Sequence, residues 1–167
     1  ILIPARSGST RVKNKNLKKL GNHPLLYYRI KSSLKSNSGR VIVSTNSKKI
    51  AQIAIKYGAE VPFLRPKKIS GSRSSSMSCI IHALEWLKFN ENFLPENIAF
   101  CPPTNPFVKY ISLRKMFSSI NKKNINSTVT IYKPDLHPYN LISFRKKNFL
   151  TFGKYKINNY SWFDFER

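Results

Sequence analysis

The chain has 167 residues, 41% of them hydrophobic, enough for one compact domain with its own core. No stretch approaches the roughly 18 uninterrupted apolar residues of a membrane-spanning helix; the apolar runs are short, such as Val41-Ile42-Val43. A formal net charge of +23, from 30 Lys and Arg against 7 Asp and Glu, favours polyanionic partners: nucleic acid, an anionic membrane or phosphorylated small molecules. The basic residues run from Arg6 to Arg167 instead of forming a tail, and Lys, Asn, Ile and Ser are abundant throughout, as an AT-rich genome would also produce. Cys79 and Cys101 lack CxxC or Cys/His spacing and read as reduced, buried thiols of a cytoplasmic protein. Ile1 already stands in an apolar run without a charged leader, so no signal peptide is legible, and the end at Arg167 reads as a truncation of a single domain spanning 1–167.

In chain order, Ile1-Leu2-Ile3 reads as a buried strand that enters a Gly/Ser/Arg/Lys/Asn loop lasting to Asn16. Pro24 opens an amphipathic helix over 25–34, with Leu26, Ile30 and Leu34 at helical spacing and Gly39 breaking it. Arg40 to Ser44 reads as a second buried strand. Asn46 or Ser47 caps the next helix, which carries Ile50, Ile53, Ala54 and Tyr57 and stops at Gly58. Val61 to Leu64 is extended, followed by a polar loop and a helix from about 75 to 89 with Ile80, Ile81, Leu84 and Leu87 as its core face. A strand over 98–101, the Pro-rich 102–106, a helix over 111–121 and a strand over 128–132 complete the alternation. Beyond Pro134 the pattern weakens into extended pieces at 140–144 and 149–152. Such strand–helix alternation predicts an α/β fold with a mostly parallel sheet and helices on both faces.

The chemistry concentrates in Pro4-Ala5-Arg6-Ser7-Gly8-Ser9-Thr10-Arg11-Val12-Lys13-Asn14-Lys15-Asn16, directly after the first strand. Ligands of open α/β sheets bind beyond the carboxyl ends of strands. Small residues at 7–10 let backbone N–H groups approach an oxyanion, and Arg6, Arg11, Lys13 and Lys15 supply charge. The loop reads either as a triphosphate cradle or as a solvated basic turn. It is no Walker motif, because GK[ST] is missing.

The run Ile3 to Asn16 closely resembles the N-terminal signature of CMP-acylneuraminate synthetases. So do Val41-Ile-Val-Ser-Thr-Asn46, Tyr57-Gly-Ala-Glu-Val-Pro-Phe-Leu-Arg-Pro66 and Pro103-Thr-Asn-Pro106, in the family's order and spacing. His137-Pro138 and Phe165-Glu166-Arg167 are similar to further landmarks of that family. The resemblance implies a Rossmann-like nucleotidyltransferase fold, a homodimer, and transfer of CMP from CTP to an acidic nine-carbon, sialic-acid-like (nonulosonic) sugar with release of pyrophosphate. It implies that Arg6 and Lys15 hold the triphosphate and neutralise charge developing on it, that Asn16, Arg65 and Ser76 bind nucleotide, and that Ser9 shares their loop. Read by themselves, a structural ion pair for Arg65 and a helix cap for Ser76 stay open as the plainer alternatives.

Several positions depart from the family pattern. Ser72 stands where the family has an acidic residue, Arg73 where it has Thr or Ser, Pro102 where a Gln associated with the acid sugar is usual, and Val108 where an Arg is usual. Asn46 replaces a frequent Asp, one helix cap for another. The resemblance also implies Mg²⁺, a hard cation that wants carboxylates. The chain offers only Glu60, Glu85, Glu91, Glu96, Asp135, Asp164 and Glu166, and the family's paired metal-binding aspartates belong to a later segment that these residues do not include, so no metal ligand is assigned. Asp164 and Glu166 read as part of a late loop. His82 reads as a satisfied core residue, Tyr27, Tyr28, Trp86 and Trp162 read as core or interface, and His137 before Pro138 resembles a sugar-side position of the family. Three alternatives stay open: a nucleic-acid-binding module using Tyr155 to Trp162 with Lys154 and Lys156, a 3-deoxy-manno-octulosonate cytidylyltransferase, and a catalytically incomplete homologue. The Lys15-Asn16 pair and Leu64-Arg65-Pro66 favour the acylneuraminate branch, with no membrane partner and no specific nucleic acid.

Overall fold

The structure, a computed structural model, describes residues 1–9, 12–120 and 126–130, and the backbone of 142–145 and 148–151. The chain divides into two compact units, Ile1–Val129 and Thr130–Arg167. In the first, β1 (Leu2–Pro4) runs into a loop with a 3-10 turn at Lys15–Leu17. There follow the short antiparallel ribbon of β2 (Lys19–Leu20) and β3 (His23–Pro24), helix α1 (Leu25–Ser36), β4 (Ile42–Ser44) and α2 (Lys48–Lys56). A 3-10 turn at Lys67–Ile69 precedes α3 (Ser76–Glu91) and α4 (Tyr110–Ile120).

β1 and β4 pair in parallel, Leu2 opposite Ile42 and Pro4 opposite Ser44. Beyond β4, parallel bridges join Ile42 to Glu60 and Thr45 to Leu64; beyond β1, another joins Leu2 to Phe100. The Leu2 amide donates to the Ala99 carbonyl (2.9 Å) and the Cys101 amide to the Leu2 carbonyl (2.8 Å). The expected strands at 61–64 and 98–101 therefore exist as extended segments held by isolated bridges. The sheet order is 98–101, β1, β4, 60–64, with every pairing parallel.

Alternation along the strands sends side chains to two cores. Ile3, Ala5, Val41 and Val43 pack with Leu26 and Ile30 of α1, Ile50 and Ala54 of α2, and Leu113 of α4. Leu2 and Ile42 point the other way, onto Phe63 and onto Cys79, Ala83 and Leu87 of α3. Helices thus cover both faces, as the alternating pattern predicts.

The helix ends show where propensity and tertiary context part. Asn37, in the left-handed region at φ 50°, ends α1 two residues before Gly39. Gly58, at φ 92°, closes α2 in the position expected of it, and a Cβ there would lie 3.2 Å from Leu34 Cδ1. Ser47, not Asn46, caps α2, its side chain accepting from the Ile50 amide. Ser75, not Ser76, caps α3 by accepting from the Ser78 amide (3.1 Å). The core stripe of α3 is Cys79, Ala83 and Leu87, spaced by four; Ile80 is only partly buried and Ile81 is 46% exposed. The sequence choice of Ile80 and Ile81 followed side-chain size, whereas the close sheet selects small residues. Residues 126–130 form no strand where one was expected, and 131–132 lie outside the described residues.

In the second unit β5 (Ile142–Arg145) and β6 (Asn148–Thr151) make an antiparallel hairpin, Ile142 opposite Thr151 and Arg145 opposite Asn148. This agrees with the extended pieces expected there. Among the described residues no helix is long and apolar enough to cross a membrane.

Candidate active site

The sheet order fixes where a ligand can sit. From β1 the chain moves one way, through α1, to β4; the 98–101 segment lies on the other side of β1. The loops leaving β1 and leaving 98–101 therefore diverge, opening a crevice at a topological switch point. A cavity of about 450 Å³ occupies it, lined by Pro4 and Phe100 at the strand ends. The volume falls in the range of about 300–1,000 Å³ typical of small-molecule sites.

All six residues singled out in the sequence line this one cavity: Arg6, Ser9, Lys15, Asn16, Arg65 and Ser76. Arg6 comes from the loop after β1, whose turn places Gly8 at φ 72°. That left-handed conformation strains residues bearing a Cβ. The Arg6 Nη1 donates to the Gly8 carbonyl (2.9 Å), folding the loop on itself. Asn16 is buried, and its Nδ2 donates to the Arg6 carbonyl (2.9 Å), so it holds the loop's two ends together. Lys15 is half-buried on the cavity wall, whereas Lys13 is exposed and does not line it. Thr10 and Arg11 lie outside the described residues.

Asn46 fastens this loop to the sheet. Its Oδ1 accepts from both the Ser7 amide (2.8 Å) and the Ser7 hydroxyl (3.1 Å). The sequence reading of Asn46 as a helix cap is corrected by this: Ser47 does the capping, and Asn46 shapes the loop.

Arg65 enters from the edge segment and is 6% exposed. Its Nε donates to Ser44 Oγ (3.0 Å) and its Nη2 to the Ser44 carbonyl (2.6 Å), at the end of β4. Cys79 Sγ donates to the same Ser44 hydroxyl (3.4 Å). Among the described residues the ion pairs all belong to Arg40, so the alternative of a structural salt bridge for Arg65 does not hold. Burial lowers the Arg65 pKa, Cys79 partly offsets this, and nearby Arg6 lowers it further. A buried guanidinium that shares its cavity with a second cation is relieved by an anion bound there.

Ser75 and Ser76 bring the amino terminus of the 16-residue α3 to the cavity, where unsatisfied N–H groups and the helix dipole favour negative charge. Ser72 and Ser74 add hydroxyls to the same rim. The opposite wall has a different chemistry: Phe100, Pro102, Pro103 and Thr104. Among the described residues no acidic side chain lines the cavity and no metal-binding cluster exists. The donor set does not fit Mg²⁺, which takes carboxylate oxygens, and no step below is routed through it. Sequence reasoning missed Ser44 and the tether role of Asn46, although both stand in the run Val41 to Asn46. His82 is not the satisfied residue expected: it packs edge-on against Phe63 (4.9 Å between centroids), half-buried, with Nδ1 unpartnered. His137, Asp164, Glu166 and Tyr155 to Trp162 lie outside the described residues.

Comparison with known proteins decides the family. The cytidylyltransferase family model matches residues 1–146. The chain belongs to the cytidylyltransferase family. It is 34% identical to the CMP-N,N'-diacetyllegionaminic acid synthase of Legionella pneumophila over 82% of this chain and 59% of that protein. It is 35% identical to the N-acylneuraminate cytidylyltransferase of Escherichia coli over 95% of this chain and 38% of that protein. It is 33% identical to a pseudaminic acid cytidylyltransferase of Campylobacter jejuni over 70% of this chain and 50% of that protein. The chain thus spans roughly 38 to 59% of the length of these relatives. Among solved structures, a CMP:2-keto-3-deoxy-manno-octonic acid synthetase complexed with CTP shares the fold (TM-score 0.58, 15% identity, 73% of this chain, 46% of that one). A cytidylyltransferase from Leptospira borgpetersenii does so too (TM-score 0.53, 24% identity, 73% of this chain, 48% of that one).

Proposed function

We propose that this chain binds CTP in the switch-point cavity and belongs to an enzyme that transfers CMP to a nonulosonic sugar. The observation that carries the reading is the convergence of Arg6, Lys15 and Arg65 with the amino terminus of α3 on one cavity that has no carboxylate among its described residues. A triphosphate brings the countercharge that the described lining does not provide. In the reaction the anomeric hydroxyl oxygen of the sugar bonds to the α-phosphorus, its proton leaves, and the bond to the β-phosphate oxygen breaks. Negative charge grows on the departing pyrophosphate, and Arg6 and Lys15 meet it with preorganised donors. Asn16 and Asn46 keep Arg6 and Ser7 in place, Arg65 anchors a phosphate against the sheet, and Ser76 offers hydroxyl and amide. The relatives named for legionaminic, acylneuraminic and pseudaminic acids support a nonulosonic acceptor. Two buried, unpaired thiols suit a cytoplasmic setting, and the homodimer is taken over from the resemblance.

Lys15→Ala and Lys13→Ala test the reading. Lys15 lines the cavity and Lys13 does not, although both are basic residues of one loop. Losing a positioned charge-assisted bond costs roughly 1.5–3 kcal/mol, about tenfold to a hundredfold in affinity. Calorimetric titration with CTP at two salt concentrations should show that loss for Lys15→Ala and less than about threefold for Lys13→Ala, because exposed charges are screened. Equal, modest losses that both disappear at low salt would reduce the loop to a basic surface. Wild-type protein that binds ATP, GTP and UTP as well as CTP would remove the cytidine preference.

A further inference from the structure

Arg29 stands on α1, four residues before Ser33 and one before Ile30, on the helix's buried side, and is only 2% exposed. Full burial of a guanidinium is rare without a carboxylate partner. Among the described residues Arg29 has no ion pair. Its Nη2 donates to the carbonyl of Asn105 (2.5 Å), 76 residues away, and its Nε has no partner. Asn105 closes a turn whose amide donates to the Pro102 carbonyl (3.4 Å) and whose own carbonyl also accepts from the Val108 amide (3.5 Å). The turn carries Pro102, Pro103 and Thr104, the cavity wall opposite the cations.

We propose that Arg29 is a positioning residue that clamps the 102–106 turn and so sets the wall against which the non-phosphate part of the nucleotide rests, Pro102 having replaced the Gln that the family resemblance ties to the acid sugar. Three observations converge on it. The bond runs from a helix buried in the core to a loop with no strand pairing of its own, so the helix lends its rigidity to the turn. The acceptor is a backbone carbonyl, which fixes the turn whatever side chains it carries. A buried cation bound to one carbonyl, with burial lowering its pKa and Cys101 partly offsetting that, is a costly way to fill space. Leu or Met would pack the same volume without a charge. The proposal rests on the reading of the cavity as a CTP site.

The test separates the two walls of the cavity by ligand. Inorganic tripolyphosphate reproduces only the part that Arg6, Lys15 and Arg65 hold, whereas CTP touches both walls. Arg29→Met should weaken CTP binding about tenfold and leave tripolyphosphate within about twofold of wild type. Arg29→Lys keeps a donor and the buried charge but not the planar fork, and should weaken CTP by about threefold. That graded order, confined to CTP, is a readout that a general loss of packing would not give. Equal losses for both ligands, or no loss for either, would overturn the role of Arg29. Wild-type protein that binds tripolyphosphate but gains nothing from the cytidine would overturn the nucleotide reading itself. If Arg29→Met does not fold, the ratio of the two affinities in Arg29→Lys decides alone.

Discussion

Two arginines mark the opposite ends of the parallel sheet. At the amino-terminal edge, Arg40 Nε lies 3.0 and 3.2 Å from the Glu60 carboxylate oxygens, its Nη1 donates to Glu91 (2.6 Å), and its guanidinium lies 5.0 Å from the Phe93 ring centre. Hydrogen bonds donated to Glu60, then to Glu91, push its pKa above the usual arginine value. At the carboxyl edge, Arg65 is more deeply buried, bonds only to Ser44, and has its pKa lowered by burial. One charge is neutralised within the chain and ties an edge segment to a helix. The other is desolvated yet left without a counterion among the described residues, which the physics of folding alone does not favour. Arg40 with its partners belongs to the architecture, and Arg65 without one, at the cavity wall, points at a ligand.

The largest expected effect breaks the comparison at Arg65. Arg65→Met should lower CTP affinity about tenfold to a hundredfold, outweighing the loss of about 1 kcal/mol of unfolding free energy expected from its broken bonds to Ser44. Calorimetry and urea denaturation on the same preparation read both, and a stability loss without an affinity loss would make Arg65 a structural residue. Next comes the pair that sequence reasoning confused. Asn46→Ala should reduce CTP affinity about tenfold through the loosened Ser7 loop. Ser47→Ala should instead cost about 1 kcal/mol of stability as a lost helix cap. Exchanged outcomes would restore Asn46 as the cap.

At the other end, Arg40→Met should leave CTP affinity unchanged and lower stability by about 1 kcal/mol, since half-exposed ion pairs contribute little each. The smallest effect is a slope with pH. Burial, then Arg65, lowers the His82 pKa below its ordinary 6.5, with Glu85 opposing. The unfolded chain therefore binds the proton first as pH falls. The stabilisation is whole above pH 6.5 and is lost as pH drops from there towards the lowered folded value. His82→Gln should flatten the urea midpoint between about pH 7.5 and about pH 5.5; an unchanged slope would assign it to other groups.

Much of this was legible in the sequence. Apolar β-branched runs and helical spacing located β1, β4 and α1 to α4, because local pattern and final environment agree there. The loop after β1 was legible as an anion site because strand, small residues and cations occur in that order. Arg29 was not, because a charged residue in an amphipathic helix reads as solvated. Its position three after Leu26 and one before Ile30, inside the apolar stripe, was the available signal. Nor could spacing distinguish Lys13 from Lys15, or show that Arg65 lacks a carboxylate, since both depend on contacts made across the sheet.

The bonds from Arg65 to Ser44 have a consequence for heat tolerance. They join the wall of the cavity to the last residue of β4, so anchoring a ligand and holding the sheet edge use the same guanidinium. Occupancy and unfolding are then linked quantities. A ligand at a hundred times its dissociation constant adds about 2.7 kcal/mol to the folded state. Much of that gain should appear as slower amide exchange at Ala5, whose N–H donates to that same Ser44 carbonyl (2.9 Å). A melting curve taken without nucleotide would then describe a looser protein than the one at work in nucleotide.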